Sequence, residues 1–290
     1  MIRLQKPPSA KPSWRPPERR AVTIAAGYVF NGGVILCADT QETVGLSKTK
    51  RPKLVIEPRE LEGKDSPEDL MLAMAGAGDG PYIDKLVERV WKKAKAAQGF
   101  EEACALVETS IQETYEYYLG LFHPGQMPYS DVVYGVKMEG RSKLFRATGP
   151  IVNETPDYCS VGNGYYLAEF ITDRVYRKRI SGPQAIILAA YVLFQCKEHV
   201  DGCGGESHIA GLYNAGASGR IKHWDVHLIS SQAERVDLMI SELLLTASDF
   251  TVGEVEFSEV LQFIVDELKQ LRAEGRQTKH KRRSAGRQDE

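Results

Sequence analysis

The chain has 290 residues, of which 42% are hydrophobic, and this is enough apolar material for one sizeable core. Its formal net charge of −2 is unevenly distributed, because residues 1–22 carry +5 and residues 276–290 carry +4, which leaves −11 for the stretch between them. An acidic body argues against a core that binds nucleic acid, and the longest apolar run, around residues 185–194, is too short to span a membrane.

The cysteines and the first residues bear on the compartment. Five cysteines are an odd number, and their spacing does not resemble a disulfide framework, so we expect a reducing, cytoplasmic environment. The residues after Met1 include no apolar run of the kind found in signal peptides, so we expect no secretion signal.

Composition divides the chain into three predicted segments. Residues 1–22 hold five of the fourteen prolines and are predicted to be a disordered basic extension, which is either a dispensable tail or a propeptide that masks Thr23. Residues 23–275 are predicted to form a folded domain. Residues 276–290 are predicted to be a disordered basic tail.

The first predicted element is a β-hairpin over residues 23–39. Two apolar runs flank Asn31-Gly32-Gly33, and a short glycine-rich connection between such runs is typical of a tight hairpin turn. A hairpin brings its outer ends together, so Thr23 and Asp39 are predicted to be neighbours.

Further along the chain, strands and pairs of helices alternate in blocks. Tight turns are predicted at residues 43–45, 76–80, 162–164 and 201–205. Strands are predicted at 52–56, 70–75, 131–138, 143–147, 156–161, 208–213 and 223–229, and helices at 80–97, 100–121, 164–176, 182–199, 231–247 and 256–273. This order predicts an α+β fold with sheets inside and helix pairs outside.

The candidate chemistry lies at the open end of the hairpin. Thr23 offers a hydroxyl, Asp39 a carboxylate, and Lys53, at the start of the next strand, an ammonium that can reach the same end of the sheet. A threonine hydroxyl is a weak nucleophile without an adjacent base, and cleavage before Thr23 would supply a free α-amine for that role. The backbone N–H groups of Gly76 and Ala77 are placed to bind an oxyanion.

The residues alone leave a second interpretation open. By spacing alone, Thr23 is better explained as a structural hairpin residue, Asp39 as a turn residue and Lys53 as a surface lysine, because short motifs often occur by chance.

A resemblance favours the catalytic interpretation. Residues 23–39 resemble the start of proteasome β-subunits and of related bacterial proteases, which are N-terminal-nucleophile (Ntn) hydrolases. The resemblance covers residues 23 to about 230, and the matching positions are Thr23, Gly27, Gly33, Ala38-Asp39, Lys53, Ala75-Gly76-Ala77-Gly78-Asp79 and Asp201-Gly202-Cys203-Gly204-Gly205.

The resemblance implies a four-layer αββα sandwich, with two antiparallel sheets between helix layers, and a threonine endopeptidase. It implies that Thr23 is the nucleophile, that Asp39 and Lys53 tune it, that Gly76 binds the oxyanion and that Asp201 supports the amine. It also implies zymogen cleavage, homo-oligomeric rings, an unfolded polypeptide substrate and a possible ATP-dependent unfoldase partner.

The resemblance also indicates substrate contacts. The backbones of Thr43 and Gly76 would pair with an extended peptide, and Met74 would form an apolar floor for the side chain before the cut bond, unless Met74 belongs to the core.

Three positions depart from the family pattern. Asn163 and Gly204 stand where the family usually has serine, and Val22 stands where self-cleaving members usually have glycine. Two alternatives therefore remain open: a catalytically silent ring subunit that retains its extension, and an Ntn amidohydrolase that acts on small amides.

The sequence predicts neither a metal nor a cofactor. Cys196, His199, Cys203 and His208 are close in sequence, but their spacing does not match a zinc ribbon or finger, so they are predicted to be a helix end, a turn and a strand.

Overall fold

A computed structural model describes residues 23–44, 47–58, 69–122 and 127–285, with the backbone alone at 43–44 and 276–285. The predicted extension at 1–22 and the last five residues of the predicted tail lie outside this part.

The strands are β1 Ile24–Phe30, β2 Gly33–Asp39, β3 Gln41–Val44, β4 Ser47–Lys50, β5 Leu54–Glu57, β6 Met71–Gly78, β7 Ser130–Met138, β8 Arg141–Thr148, β9 Ile151–Thr155, β10 Tyr158–Gly162, β11 Ser207–Tyr213 and β12 Gly219–Arg220. The helices are α1 Gly80–Ala94, α2 Phe100–Leu119, α3 Tyr165–Val175, α4 Gly182–His199, α5 His223–Ser248 and α6 Glu254–Ala285.

Two five-stranded antiparallel sheets form the centre of the molecule. The first has the strand order β10-β1-β2-β11-β12 and the second the order β5-β6-β7-β8-β9, while β3 and β4 form a small separate hairpin. The two large sheets pack face to face through small and branched side chains, among them Ala25, Leu36, Ala75, Val133 and Leu144. Alternation along each strand therefore supplies one face to this layer and the other to the helices.

Helices cover both outer faces. The pair α1–α2 packs on the second sheet, where Leu86, Val90 and Ile111 are buried against Leu72 and Tyr134. The pair α3–α4 packs on the first sheet in the same way. The predicted α+β class and the four-layer αββα sandwich are confirmed.

The first hairpin forms as predicted. Asn31 and Gly32 make a two-residue turn between Phe30 and Gly33, and Gly32 has a φ of +114°, a conformation that glycine adopts without a steric penalty. The register pairs Ala25 with Ala38, so the chain before β1 and the end of β2 lie side by side.

The strand predicted at 223–229 is wrong, because these residues are the first two turns of α5. Val226 is buried and Ile229 packs on the same cluster, whereas Trp224 is exposed. Inward positions three apart are the helical period, and a short apolar run does not distinguish it from a strand. Helix α6 also extends to Ala285, past the predicted start of the tail.

Within the described residues, no helix is both long enough and apolar enough to cross a membrane.

Candidate active site

Thr23, Asp39 and Lys53 meet at one end of the first sheet. The Thr23 hydroxyl donates a hydrogen bond to Asp39 Oδ1 and accepts one from Lys53 Nζ. Lys53 Nζ also lies 2.8 Å from Asp39 Oδ1 and donates to the carbonyl of Gln41. The structure therefore brings together the three side chains that the sequence singled out.

Asp39 is a fully buried carboxylate with four donors around it. Besides Thr23 and Lys53, the backbone N–H groups of Ile24 and Gly204 donate to it at 3.3 and 2.9 Å. A carboxylate has about four acceptor positions, so these contacts satisfy a charge that would otherwise be costly to bury. Asp39 thereby fixes the positions of the hydroxyl and the ammonium relative to each other.

Burial lowers the pKa of Lys53 below its usual 10.5, and the neighbouring Asp39 carboxylate opposes this shift. The Lys53 side chain is 12% exposed. Lys53 is therefore an ammonium that gives up its proton more readily than a surface lysine while it is still held by an opposite charge.

A cavity of about 310 Å³ opens beside the Thr23 hydroxyl. Its apolar wall comes from Val55 and Ile83, and Gly76 lines it at the end of β6. Its charged rim consists of Glu42, Arg51, Asp79 and Asp84. Arg51 bridges this rim, since its guanidinium lies 3.4 Å from Glu42 and also pairs with Asp84.

Gly76 lies where β6 loses one of its neighbours. Pairing with β5 ends at Leu54 and Ala75, whereas pairing with β7 continues to Gly78 and Ser130. Among the described strands, residues 76–78 therefore have a partner on one edge only, and the other edge faces the cavity. Backbone groups on such an edge can bind an oxyanion or an extended peptide.

Asp201 lies in the turn between α4 and β11. Its side chain is exposed, and its backbone carbonyl accepts a hydrogen bond of 2.9 Å from the amide of Asn163. The group of this turn that reaches the site is the N–H of Gly204, through Asp39. This contact is absent from the sequence-based predictions, although the glycine-rich turn directly precedes β11, a strand that pairs with β2.

Two further glycines hold the chain around Thr23 and were also missed. The N–H of Gly164 donates to the Thr23 carbonyl at 3.2 Å. Gly162 has a φ of +93°, and a Cβ there would lie 2.4 Å from the same carbonyl oxygen. Only glycine permits this close approach. The glycines of the β10–α3 turn were therefore the sequence signal that could have indicated packing against Thr23.

The two remaining predicted substrate contacts are Thr43 and Met74. Thr43 is in β3 and only its backbone is described. Met74 is 1% exposed and belongs to the cluster beneath α1 and α2. The residues that line the cavity do not include Met74, and Val55 and Ile83 provide its apolar surface instead.

In the described part of the chain, no group of three or more His, Cys, Asp or Glu side chains is arranged to hold a metal ion. Burial raises the pKa of Cys196 and of Cys203 to about 12, so both thiols stay protonated at neutral pH. All five cysteines are free.

Solved structures of Anbu proteins share this fold. The TM-score is 0.62 with the Anbu complex of Pseudomonas aeruginosa, whose structure is described as a helical assembly, at 15% identity over 77% of this chain and 95% of that one. It is 0.61 with Anbu, an ancestral beta-subunit, from Yersinia bercovieri, at 14% identity over 76% and 97%. It is 0.59 with an Anbu (Gly-1) mutant from Hyphomicrobium sp. strain MC1, at 15% identity over 76% and 97%. No protein-family model and no curated protein matches the sequence.

These comparisons correct the family assignment. The assignment to the proteasome β-subunit family is wrong, because no family model supports it and the similar structures are distant Anbu proteins. At 14–15% identity the likeness shows the fold alone. The residue match at the hairpin reflects a shared architecture rather than membership of that family.

Proposed function

We propose that this chain is an Ntn hydrolase that cleaves peptide bonds through an acyl ester on Thr23. One observation carries the proposal: the Thr23 hydroxyl is held between a partly buried lysine and a fully buried aspartate at the edge of a cavity. A structural threonine needs neither an adjacent ammonium nor an adjacent cavity.

The chemistry requires cleavage of the bond between Val22 and Thr23. While that bond is intact, the nitrogen of Thr23 is an amide, which cannot act as a base. Once freed, it is an α-amine with a pKa near 8, so a substantial neutral fraction exists at physiological pH. The proposal therefore treats residues 1–22 as a propeptide.

The reaction would then proceed through two tetrahedral intermediates. The α-amine takes the Thr23 hydroxyl proton as the oxygen attacks the substrate carbonyl, and the Lys53 ammonium stabilises the negative charge on Thr23 Oγ. The backbone N–H of Gly76 faces the developing oxyanion. The α-ammonium returns its proton to the leaving amine, and a water molecule, deprotonated by the same amine, hydrolyses the ester. Asp39 holds the side chains of Lys53 and Thr23 in fixed positions throughout the reaction.

The open edge of β6 supports a peptide as substrate. An extended chain laid along residues 76–78 would form backbone hydrogen bonds and direct one side chain into the cavity. The expected unfolded polypeptide substrate and the ATP-dependent unfoldase stay predictions.

Self-association completes the proposal. The Pseudomonas aeruginosa Anbu complex forms a helical assembly, and a chain of the same fold that joins with its own copies would enclose its sites in a ring or a helix.

A catalytically silent subunit is the second candidate. Val22 favours it, because a β-branched residue restricts the tight backbone that self-cleavage needs. Gly204 also favours it, since glycine has no hydroxyl at a position where the family usually has serine.

The test combines the mass of the purified protein with its activity. We expect a chain that begins at Thr23 and hydrolyses fluorogenic peptides, with activity reduced about 10³-fold or more by Thr23→Ala because the nucleophile is lost. Thr23→Ser is the matched control that keeps a hydroxyl. A chain that keeps Met1 and is inactive, and that stays inactive when produced with Thr23 as its first residue, would contradict the proposal. Turnover of small amides but not of peptides would move it to the amidohydrolase alternative.

A further inference from the structure

A large groove lies between four helices whose residues are distant from Thr23 in the sequence. It has a volume of about 1220 Å³ and is formed by α3, α4, α5 and α6. Its walls are mainly apolar, with Ile187 and Leu188 on α4, Ile229 on α5 and Leu271 on α6. We call it the basic groove, because five cations line its rim: Arg174, Arg177, Lys178, Arg179 and Arg272.

The rim carries a surplus of positive charge. Residues 174–179 contain four basic side chains and no acidic one. Lys178 lies 3.7 Å from Asp157, and Arg177 donates to the carbonyls of Arg174 and Tyr176. Asp237, which also lines the groove, already accepts hydrogen bonds from Tyr191 and Gln195. The groove thus offers apolar area surrounded by cations.

A second surface has the opposite character. Residues 241–260, which we call the acidic tip, comprise the end of α5, the turn and the start of α6, and they contain five acidic side chains and no basic one. The tip also exposes large apolar side chains: Phe250 is 98% exposed, Val255 75% and Leu245 70%. Such a concentration of exposed apolar residues marks an interaction surface rather than a solvated helix end.

The acidic tip cannot fill the groove of its own chain. Ile240 and Leu268 are the last groove-lining residues on α5 and α6 before the tip. Helix α5 continues unbroken for eight residues beyond Ile240, and fourteen residues of α6, starting at Glu254, precede Leu268. At 1.5 Å per residue, the tip projects about 12 to 21 Å beyond the groove.

We propose that the acidic tip of one copy of this chain inserts into the basic groove of a second copy. Phe250, Leu245 and Val255 would lose their exposure against the apolar walls, while the five carboxylates would face the five cations. Each copy then uses its tip on one neighbour and its groove on another. A contact of this kind is head to tail, and it generates a closed ring or an open helix according to the rotation between copies.

The experiment measures the mass of the full-length protein in solution by light scattering and sedimentation. A tip variant, Glu254→Lys with Glu256→Lys, reverses two charges at the start of α6. A groove variant, Arg174→Glu with Arg179→Glu, reverses two on the rim. Each variant alone is expected to weaken self-association about tenfold or more, because like charges then face each other. Glu116→Lys, on the exposed face of α2, is the matched control and should associate like the original chain.

Mixing gives the decisive result. The acidic tip of the groove variant is complementary to the normal groove of the tip variant, and the reversed tip of the tip variant is complementary to the reversed rim of the groove variant. An equimolar mixture is therefore expected to regain assembly, with the two variants alternating, although each variant alone does not assemble. A chain that carries all four reversals should regain self-association, which also excludes misfolding as the cause of the loss. The proposal is overturned if the original chain is monomeric, if the tip variant associates as strongly as the control, or if the four-fold variant fails to recover. Binding of a fatty acid to the groove of a monomeric chain would assign the groove to an anionic amphiphile and likewise overturn it. Because the readout is mass, the result is independent of catalysis by Thr23.

Discussion

The Asp39 carboxylate determines how the candidate site responds to substitution. It is fully buried and receives the Lys53 ammonium, the Thr23 hydroxyl and two backbone N–H groups. Removing Lys53 would leave a buried charge without its counterion, which typically costs about 3–5 kcal/mol of stability. A loss of activity in such a variant would therefore not distinguish impaired folding from impaired catalysis, so a variant that keeps the positive charge is needed.

The pH dependence separates these effects. Activity is expected to rise as the pH increases through about 8, because the Thr23 amine loses its proton. At higher pH it is expected to decline as Lys53 loses its proton, with a midpoint lower than 10.5 because burial lowers the pKa of Lys53. The contribution of Lys53 to the free energy of unfolding changes in the opposite direction to activity over this alkaline range. Between its folded and unfolded pKa values the unfolded chain binds more protons, so this contribution rises with pH.

The measurement is kcat/KM against pH, with unfolding followed on the same samples. Lys53→Arg should lower activity about 10²-fold and remove the alkaline decline, because a guanidinium stays protonated. An alkaline decline that is identical in Lys53→Arg would show that another group titrates.

The cavity rim predicts which side chain the site accepts. Among the described residues that line the cavity, Glu42, Asp79 and Asp84 share one cation, Arg51, whereas Lys53 is paired with Asp39. Peptides with lysine or arginine before the cut bond should be cleaved about tenfold or more faster than those with glutamate, because like charges repel. Asp84→Asn should reduce that ratio, as measured by kcat/KM on a matched peptide series. An unchanged ratio, or a preference for glutamate, would contradict the assignment of the rim.

At the scale of elements, close packing between the two sheets depends on glycine. A Cβ at Gly27 would lie 2.5 Å from Leu144 Cδ1 and 2.9 Å from Val133 Cγ1, both in the buried layer between the sheets. Gly27→Ala is therefore expected to destabilise the fold by about 1–3 kcal/mol through overpacking. Denaturant unfolding measures this as a lower midpoint at an unchanged slope.

Gly120→Ala is the control for that substitution. Gly120 is exposed at the end of α2 with a φ of −70°, and its nearest neighbour would lie 3.5 Å from the new Cβ, an ordinary contact. The free energy of unfolding of the Gly120→Ala variant should therefore differ little from that of the original chain. Equal stability of the two variants would show that the sheets can move apart to admit a methyl group.

The sequence predicts elements that local pattern determines, and fails where contacts come from distant residues. The Asn31-Gly32 turn and the alternation of β1 and β2 suffice to place Thr23 beside Asp39. The bond from Gly204 to Asp39 spans 165 residues, and it depends on the pairing of β2 with β11. The pattern of one strand does not reveal which other strand lies beside it. The same limit explains the missed packing of Gly162 on Thr23.

At the scale of the whole molecule, the apolar core is unevenly distributed. Three large clusters fill the space between the sheets and beneath the two helix pairs. Among the side chains that the structure describes, the outer part of the α5–α6 hairpin has only Met239, Ile264 and Leu271 buried, with Val236, Leu243 and Val260 around them. Little apolar area therefore opposes local opening of this hairpin, and helices of such length gain most of their stability from packing.

Hydrogen exchange tests this imbalance and its link to assembly. In dilute solution, amides of residues 241–260 should exchange much faster than those of β6 and β7, which lie in the middle of the second sheet. If the tip of one copy occupies the groove of another, raising the protein concentration should slow exchange in the tip and along α3, and leave β6 and β7 unchanged. The Glu254→Lys, Glu256→Lys variant should lose this concentration dependence while its sheet amides keep their protection. Protection of the tip equal to that of β7 in dilute solution would mean that the hairpin is stabilised within one chain, and the exposed Phe250 would then need another explanation.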